Sequence, residues 1–364
     1  LTAQTYGSSG GQRGATDVIL FRSLAVGLFT GLFLLAMCGP WKTAIIAFMD
    51  ADDATLAPAL QYVDILVWGA PAVMLTYALS GWFLGMQDSK AQMWMALVTN
   101  VANIAISPLL VFGFGWGIVG VAVGTLSAQW LGLAVGLVMA WHKYRPRFPG
   151  IAPVLELRPL LRFFRVNTDI FLRTACLVAV TLWFTHAGAQ QGTDVLAANA
   201  LLLQLFMLFS YFMDGFAFAG EALAGKYAGA SDTASLRSLI RSLMSVGFSF
   251  ALFFGVTYAV FGEDIMHLLA DSRDVVATAS DYILFAAAVP LCGFMAFVWD
   301  GIYVGLVRTR AMLASMTVAA AVFFAVWLIF RHSLGNNALW LAFNAYLLTR
   351  SIVQTLLYIF RTRK

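Results

Sequence analysis

Long apolar stretches separated by short polar connections run through the whole chain of 364 residues. Each stretch is about 20 residues or longer, the length that an α-helix needs to cross a bilayer. Ten such stretches lie at about 18–38, 61–85, 91–112, 117–141, 166–187, 195–222, 237–261, 279–306, 310–330 and 338–360. The pattern predicts an all-α, polytopic membrane protein with ten spans.

Composition leads to the same class. The chain is 61% apolar and 11% charged, and its mean hydropathy is +0.83. Soluble domains are about half apolar and about a quarter charged, so this chain has too little charge to coat a soluble surface. A disordered chain is excluded for the same reason.

Basic and acidic connections alternate along the chain. The N-terminal segment and every second connection after it are basic, through Arg13, Lys90, His142, Lys143, Arg145, Arg147, Arg158, Arg162, Arg165, Lys226, Arg237, Arg308, Arg310, Arg361, Arg363 and Lys364. The other connections are acidic or nearly neutral, through Asp50, Asp52, Asp53, Asp194, Glu263, Asp264, Asp271 and Asp274, with Arg273 and Arg331 as bases. The positive-inside rule then places both ends of this chain in the cytoplasm. We expect the bases to meet phospholipid head groups and not nucleic acid.

An internal repeat relates the two halves. LFRSL at 20–24 recurs as LIRSL at 239–243, and Ala51-Asp52 recurs as Ala270-Asp271. The pair Gly81 and Gly85 recurs as Gly301 and Gly305, again 219–220 residues later. Since both copies have the same orientation, this is a parallel repeat about an axis along the membrane normal.

The second copy begins with two spans that have no counterpart before Tyr6. We therefore expect about 60 residues with two helices to precede Leu1 in a twelve-span parent, since each span takes roughly 20 residues. The expected organisation is a four-helix remainder of a first six-helix bundle at 1–141, a linker at 142–165 and a second six-helix bundle at 166–364. Within the linker, leucines and phenylalanines at 151–165 alternate with arginines. This favours a helix lying in the membrane interface, and an ordinary basic loop is the alternative.

Several stretches resemble the multidrug and toxic compound extrusion (MATE) transporters, and more closely their DinF-like branch. They are LTAQTYG (1–7), NTDIFLRT (167–174), LAANALLLQLF (196–206), MDGFAFAGEALAGKYAG (213–229) and WDGIYVGLVRTRAM (299–312). The resemblance implies two six-helix bundles around a central cavity and alternating access. It also implies export of organic, cationic or amphiphilic compounds in exchange for H⁺ or Na⁺. We expect no cofactor beyond that ion, no enzymatic activity and a monomer.

Two features depart from the family pattern. The family's fifth helix carries Asn-x-x-Asn followed in many members by Asp, whereas this chain has Asn100, Asn103 and then Ser107. The branch's cation-coupling Asp belongs to the helix expected upstream of Leu1. The three polar residues either form the rim of a cation site or hydrogen-bond between helices.

Five charged residues lie within predicted spans, where each costs about 2.5–3.5 kcal/mol near the bilayer centre. They are Asp169, Arg173, Asp214, Glu221 and Asp300. They lie roughly 6–16 Å from the cytoplasmic ends of their helices at about 1.5 Å per residue. Asp169 and Arg173 are one turn apart and can pair. The cluster is either a cation-coupling site or a structural and gating network.

Other functions find less support. A lipid-linked glycan flippase of the same wider superfamily should line its cavity with several bases, whereas Arg173 is the chief base predicted here. An inactive fragment is a further alternative. An enzyme or metal site needs a nucleophile or a His/Cys cluster, and the three cysteines and four histidines are scattered. GWGIVG at 115–120 joins two spans, so we interpret it as a tight turn and not a nucleotide loop.

Overall fold

Helices form the regular structure in the described part of the chain. The structure, a computed structural model, describes residues 1–11, 13–48, 53–270 and 272–362. Five of the charged residues that predict the sides of the connections lie outside these ranges, namely Asp50, Asp52, Asp271, Arg363 and Lys364. Of the repeated pair Ala270-Asp271, only Ala270 is therefore described. No described residue is in a strand, and the all-α class is confirmed.

The first of two units, Leu1–Glu156, begins with a short helix and then contains four predicted spans. Its helices are α1 (Thr2–Ser8), α2 (Arg13–Phe48), α3 (Asp53–Leu66), α4 (Ala70–Gly85), α5 (Ser89–Pro108), α6 (Gly117–Tyr144) and α7 (Ile151–Val154). A 3₁₀ turn at Val67–Gly69 joins α3 and α4 into one span, and a wide turn at Leu109–Gly113 lengthens α5. The following connection turns through Gly115 and Gly117, which both have positive φ, as a tight turn requires.

The second unit, Leu157–Lys364, contains the remaining helices. They are α8 (Leu157–Ala189), α9 (Thr193–Gly229), α10 (Thr233–Leu269), α11 (Arg273–Ser280), α12 (Ile283–Gly305), α13 (Thr309–Leu334) and α14 (Asn336–Thr362). Its core is apolar and rich in aromatic side chains, which form edge-to-face pairs such as Phe184 with Trp340. Such pairs stabilise an interior beyond the area that they bury.

Nine of the described helical segments are long and apolar enough to cross a membrane. The tenth predicted span, 338–360, is α14, which is 27 residues long but more polar. Its polar side chains are buried: Asn344 is 8% exposed, Arg350 4%, and both Ser351 and Gln354 0%. In a membrane such residues face other helices. The mean hydropathy of α14 is therefore lower because its polar side chains face the interior of the unit.

The repeat appears in the helix starts of both units. Arg13 and Thr233, which begin α2 and α10, are 220 residues apart, and Ser89 and Thr309 repeat that spacing for α5 and α13. The same neighbours pack in each unit: α4 contacts α2 and α6, and α12 contacts α10 and α14. The two halves therefore share one order of helices and one set of helix contacts.

Small residues bring neighbouring helices close together. A methyl group added at Gly85 would lie 2.9 Å from the backbone nitrogen of Ala3, and one at Gly305 would lie 2.9 Å from that of Gly225. Gly301 is tighter still, at 2.0 Å from the backbone oxygen of Ala217. Gly81 has nothing within 4 Å, so of the four repeated glycines it alone is not a close-packing position.

A second set of small residues follows α6 at every fourth position. They are Gly120, Gly124, Ala128, Gly132, Gly136 and Ala140, all buried. A methyl group on Gly124 would lie 2.3 Å from Ser107 Oγ, and one on Gly132 would lie 1.9 Å from Thr99 Oγ1. Contact through Gly and Ala is the usual way for membrane helices to approach closely, and it explains the packing of α5 on α6.

The segment 151–165, predicted as an interfacial helix, does not form a single helix of its own. Only Ile151–Val154 forms a short turn, and Leu157 begins the 33-residue α8 that continues through the predicted span. The linker predicted at 142–165 is correspondingly short, because α6 ends at Tyr144 and α8 begins before Arg158. The pattern of leucines and arginines belongs to the first turns of a long helix.

Candidate functional site

A cavity of about 260 Å³ lies among α8, α9, α12 and α14 of the second unit. Four charged side chains reach it, namely Arg173, Asp214, Asp300 and Arg350. The rest of its lining is mainly apolar and aromatic and includes Phe206, Met207, Phe297, Phe343 and Tyr346. A mostly apolar cavity with a few convergent polar groups is the usual form of a small-molecule site.

Asp300 is the centre of the polar network in this cavity. Arg173 from α8 and Arg350 from α14 both donate hydrogen bonds to Asp300 Oδ2 and form ion pairs with it. Gln354 Nε2 donates to the other oxygen, Oδ1, at 2.7 Å. Two guanidinium groups and an amide therefore hold this carboxylate in place with strong charge-assisted bonds.

The geometry of α14 explains why two of these donors meet one acid. Arg350 and Gln354 are one helical turn apart and lie on the same face, opposite Asp300 on α12. The Arg350 guanidinium also lies 5.9 Å from the centre of the Phe297 ring, a cation–π distance. Since the Arg350 side chain is 4% exposed and that of Asp300 is 13% exposed, the pair is largely shielded from solvent.

Asp214 is the second carboxylate of the cavity, and its environment differs from that of Asp300. It is half-buried on α9, and within the described residues no hydrogen bond or ion pair is formed with its side chain. Ser210, one turn earlier, lines the same cavity. The cavity thus contains one carboxylate that is held by two arginines and one that has no hydrogen-bond or ion-pair partner among the described residues.

The predicted charge cluster is only partly assembled. Arg173, Asp214 and Asp300 line one cavity, but the predicted Asp169–Arg173 pair does not form. Asp169 instead accepts a hydrogen bond from Thr309 Oγ1 at 2.6 Å, while Arg173 reaches across to α12.

Glu221 also lies outside the cavity. The seven-residue spacing from Asp214 does place both acids on α9 at nearby angles. However, the backbone of Glu221 packs on Gly305, with its oxygen 2.5 Å from an added methyl group there. Glu221 therefore belongs to the close contact of α9 with α12.

Arg350, Gln354 and Tyr346 are functional candidates that the predicted cluster lacks. The sequence does contain a signal for two of them, since Arg350 and Gln354 are polar, one turn apart and near the middle of an otherwise apolar span. Arg173 is accordingly not the chief base of the cavity: Arg350 is equally close to Asp300 and more deeply buried.

The three polar residues of the first unit do not converge. Asn100 is exposed, and Asn103 Nδ2 donates to Thr125 Oγ1 of α6 at 2.9 Å. Ser107 Oγ is buried without a hydrogen-bond partner, where α5 crosses Gly124. For Asn103 this is the interhelical arrangement, one of the two predicted alternatives.

Asp88 holds together the turn that precedes α5. It caps the helix by accepting from the Ala91 backbone nitrogen, and Lys143 Nζ and Tyr144 Oη donate to its Oδ2 at 2.6 and 2.8 Å. Burial by itself raises the pKa of this carboxyl, but the bonds from Lys143 and Tyr144 outweigh burial, so the pKa lies below its ordinary value. Asp88 is therefore a structural anion at neutral pH.

A family model and curated relatives match most of the chain. The MatE family model matches residues 1–109 and 169–329. DNA damage-inducible protein F of Escherichia coli is 32% identical over 356 residues, which cover 97% of this chain and 76% of that protein. The chain belongs to the MatE family.

Other comparisons agree with this membership. The multidrug resistance protein NorM of Vibrio cholerae is 27% identical over 67% of this chain and 55% of its own length. A solved MATE structure in the straight conformation has a TM-score of 0.86 at 18% identity, covering 99% of this chain and 81% of that one. An outward-facing MATE transporter gives 0.84. This MatE member is thus of a multidrug-type membrane transporter family and is not an enzyme.

Proposed function

We propose that this MatE member exports organic, cationic or amphiphilic compounds by alternating access, in exchange for H⁺ or Na⁺. The observation that supports the proposal is the presence of a free carboxylate, Asp214, beside the fixed carboxylate Asp300 in one aromatic-lined cavity. Exchange requires that the outgoing compound and the incoming cation compete for one site. A single free carboxylate provides such a site.

The other cavity residues suit the same substrates. Aromatic faces such as those of Phe206 and Phe343 attract organic cations, and Met207 adapts its shape to different ligands. Asp300 is neutralised by two arginines, so it fixes α8, α12 and α14 around the site and does not itself exchange a cation. Asp214 is then the group that takes up H⁺, Na⁺ or the cationic part of a substrate.

Efflux from proteoliposomes tests this assignment. We expect Asp214→Asn to abolish efflux of a fluorescent organic cation driven by a pH or Na⁺ gradient, because an amide neither ionises nor binds H⁺ at physiological pH. Glu221→Gln is the matched control, since it neutralises an acid of the same helix outside the cavity. Gradient-driven efflux that persists in Asp214→Asn would refute the role of this carboxylate.

The flippase alternative requires a different charge balance. A pyrophosphate-linked lipid needs a surplus of positive charge in the cavity, whereas here both arginines pair with Asp300 and Asp214 adds a negative charge. Flipping of a pyrophosphate-linked lipid by the same proteoliposomes would favour the alternative.

We further propose a monomer in the bacterial inner membrane, with both ends of this chain cytoplasmic and with no cofactor beyond the coupling ion.

A further inference from the structure

A second cavity, of about 650 Å³, lies between the first turns of α8 and the start of α13. Five arginines line it, namely Arg158, Arg162, Arg165, Arg308 and Arg310. By the positive-inside rule this is the cytoplasmic end of the second unit. The transport proposal gives these side chains no role.

The arginines of this basic pocket have no acidic partners among the described residues. None of the five forms an ion pair, and the only carboxylate in the lining, Asp169, is bound by Thr309. Arg308 Nη1 is moreover buried without a hydrogen-bond partner. Five arginines face a single carboxylate here, so the pocket has an excess of positive charge that suits an anion.

A comparison of three turns shows where that anion belongs. The turns before α5, α10 and α13 each contain a residue with positive φ, namely Gln87, Ser231 and Val307. In the first two turns the next residue is an aspartate, Asp88 or Asp232, whose carboxylate accepts a hydrogen bond from the helix N-terminus.

The third turn has Arg308 where the other two have aspartate, and α13 begins with no side-chain cap. The same backbone conformation thus recurs with a cation in place of an anion. The N-terminus of a helix also favours negative charge. The structure therefore places a helix start, the guanidinium of Arg308 with its buried Nη1, and four further arginines around one space.

Apolar side chains next to the pocket indicate the source of this anion. Leu157, Leu161 and Phe164 are 50–68% exposed on α8, interleaved with the arginines, and Leu161 also lines the pocket. This combination suits a molecule that has a phosphate head and an acyl chain. A free phosphate ion has no apolar part that could contact these side chains.

We propose that the basic pocket binds the phosphate of an anionic phospholipid head group. Arg162 and Arg308 donate to the phosphate oxygens, as guanidinium groups do in phosphate sites. The acyl chains lie along Leu157 and Phe164. A lipid bound here bridges α8 and the turn between α12 and α13.

The test compares two pairs of arginines in purified full-length chain. Arg158→Gln/Arg162→Gln removes two charges one turn apart at the start of α8. The matched control, Arg237→Gln/Arg241→Gln, removes two exposed charges one turn apart at the start of α10. Arg308→Gln is a second variant, which removes one guanidinium from the turn. Native mass spectrometry and thermal unfolding in detergent measure binding of phosphatidylglycerol, phosphatidylcholine and inorganic phosphate.

We expect the wild type to bind phosphatidylglycerol in preference to phosphatidylcholine. In the pocket variants we expect the affinity for phosphatidylglycerol to fall by about tenfold or more. This is the typical effect of losing a charge-assisted hydrogen bond. The control pair should bind it as the wild type does. Since the removed arginines have no acidic partner, the pocket variants should be no less stable than the wild type when lipid is absent.

Two results would overturn the proposal. Equal weakening in the pocket and control variants would mean that phosphatidylglycerol responds only to overall surface charge. Binding of inorganic phosphate as strong as that of phosphatidylglycerol would mean that the pocket takes a free anion and not a lipid.

Discussion

At the scale of single residues, the buried charge of Arg350 depends on Asp300 for its stabilisation. Its side chain is 4% exposed, so its charge is stabilised by that acid and not by water. We expect Arg350→Gln to destabilise the protein by about 3–5 kcal/mol, the typical cost of breaking a buried ion pair on one side. Thermal unfolding in detergent measures the loss.

The double variant Arg350→Gln/Asp300→Asn provides the control for this prediction. Because the two residues contact each other, we expect the loss of stability in the double variant to be smaller than the sum of the losses in the two single variants, although Arg173 also loses its partner Asp300. A loss in the double variant that equals that sum would contradict the pairing. Arg237→Gln, which removes an exposed charge, should leave the unfolding temperature almost unchanged.

Asp88 gives the protein a stability that depends on pH. Its pKa is lower in the folded protein than in the unfolded chain. Its contribution is therefore fully present above the ordinary carboxyl pKa of about 4 and is lost as the pH falls through the lower folded value. We expect Asp88→Asn to be less stable than the wild type at neutral pH, with the difference shrinking below about pH 4.

Unfolding temperatures of Asp88→Asn and wild type across this pH range check the prediction. Asp194→Asn, which changes an exposed aspartate on another connection, should follow the wild type at every pH. A constant difference between Asp88→Asn and wild type down to the lowest pH would mean that the carboxylate is not the source of the effect.

The residue types at the site follow from the sequence, but their partners do not. Charged residues in apolar spans must be satisfied internally, which is why Arg173, Asp214 and Asp300 are recognisable from their positions alone. Which of them meet depends on how α8, α9, α12 and α14 pack. The i,i+4 spacing of Asp169 and Arg173 permits a pair that the packing replaces with Arg173–Asp300.

At the scale of helices, the repeated glycines make a matched experiment available. An alanine methyl group at Gly301 would lie 2.0 Å from a backbone oxygen of α9, which cannot move aside, whereas one at Gly81 has nothing within 4 Å. We expect Gly301→Ala to destabilise the protein by about 1–3 kcal/mol or more, as overpacking does.

Gly81→Ala should be neutral or slightly stabilising, because alanine favours helix by about 0.5–1 kcal/mol over glycine. Both variants are compared by thermal unfolding in detergent. Similar behaviour of the two variants would show that α9 and α12 are not in close contact at Gly301. The sequence repeat alone predicts the same result for both positions, because it does not reveal which neighbouring helix covers each glycine.

At the scale of the whole molecule, the positive-inside pattern predicts which connections share a side of the membrane. Arg147 follows α6 and Asp194 is the second residue of α9, with one span between them, and both are exposed. We expect single cysteines at these two positions to react with a membrane-impermeant reagent from opposite sides, Arg147→Cys from the cytoplasm. The background replaces Cys38, Cys176 and Cys292.

Arg237→Cys is a further control, since α10 starts on the predicted cytoplasmic side and should be labelled with Arg147→Cys. Labelling of the Arg147 and Asp194 positions from the same side would contradict the span assignment.

The spans themselves were predictable because a bilayer sets their length. The merging of the predicted interfacial segment into α8 was not, since a basic amphipathic stretch and the first turns of a long helix have the same periodicity.

The small residues of α6 have a consequence for how this helix is held in register. Residues four apart form rows inclined to the helix axis, and this row presents a glycine or alanine at each of its steps. A slide by one step would replace each small residue with another, so packing alone does not define the alignment of α6 with α5. The polar contacts define it: Thr125 must meet Asn103, and Lys143 and Tyr144 must meet Asp88.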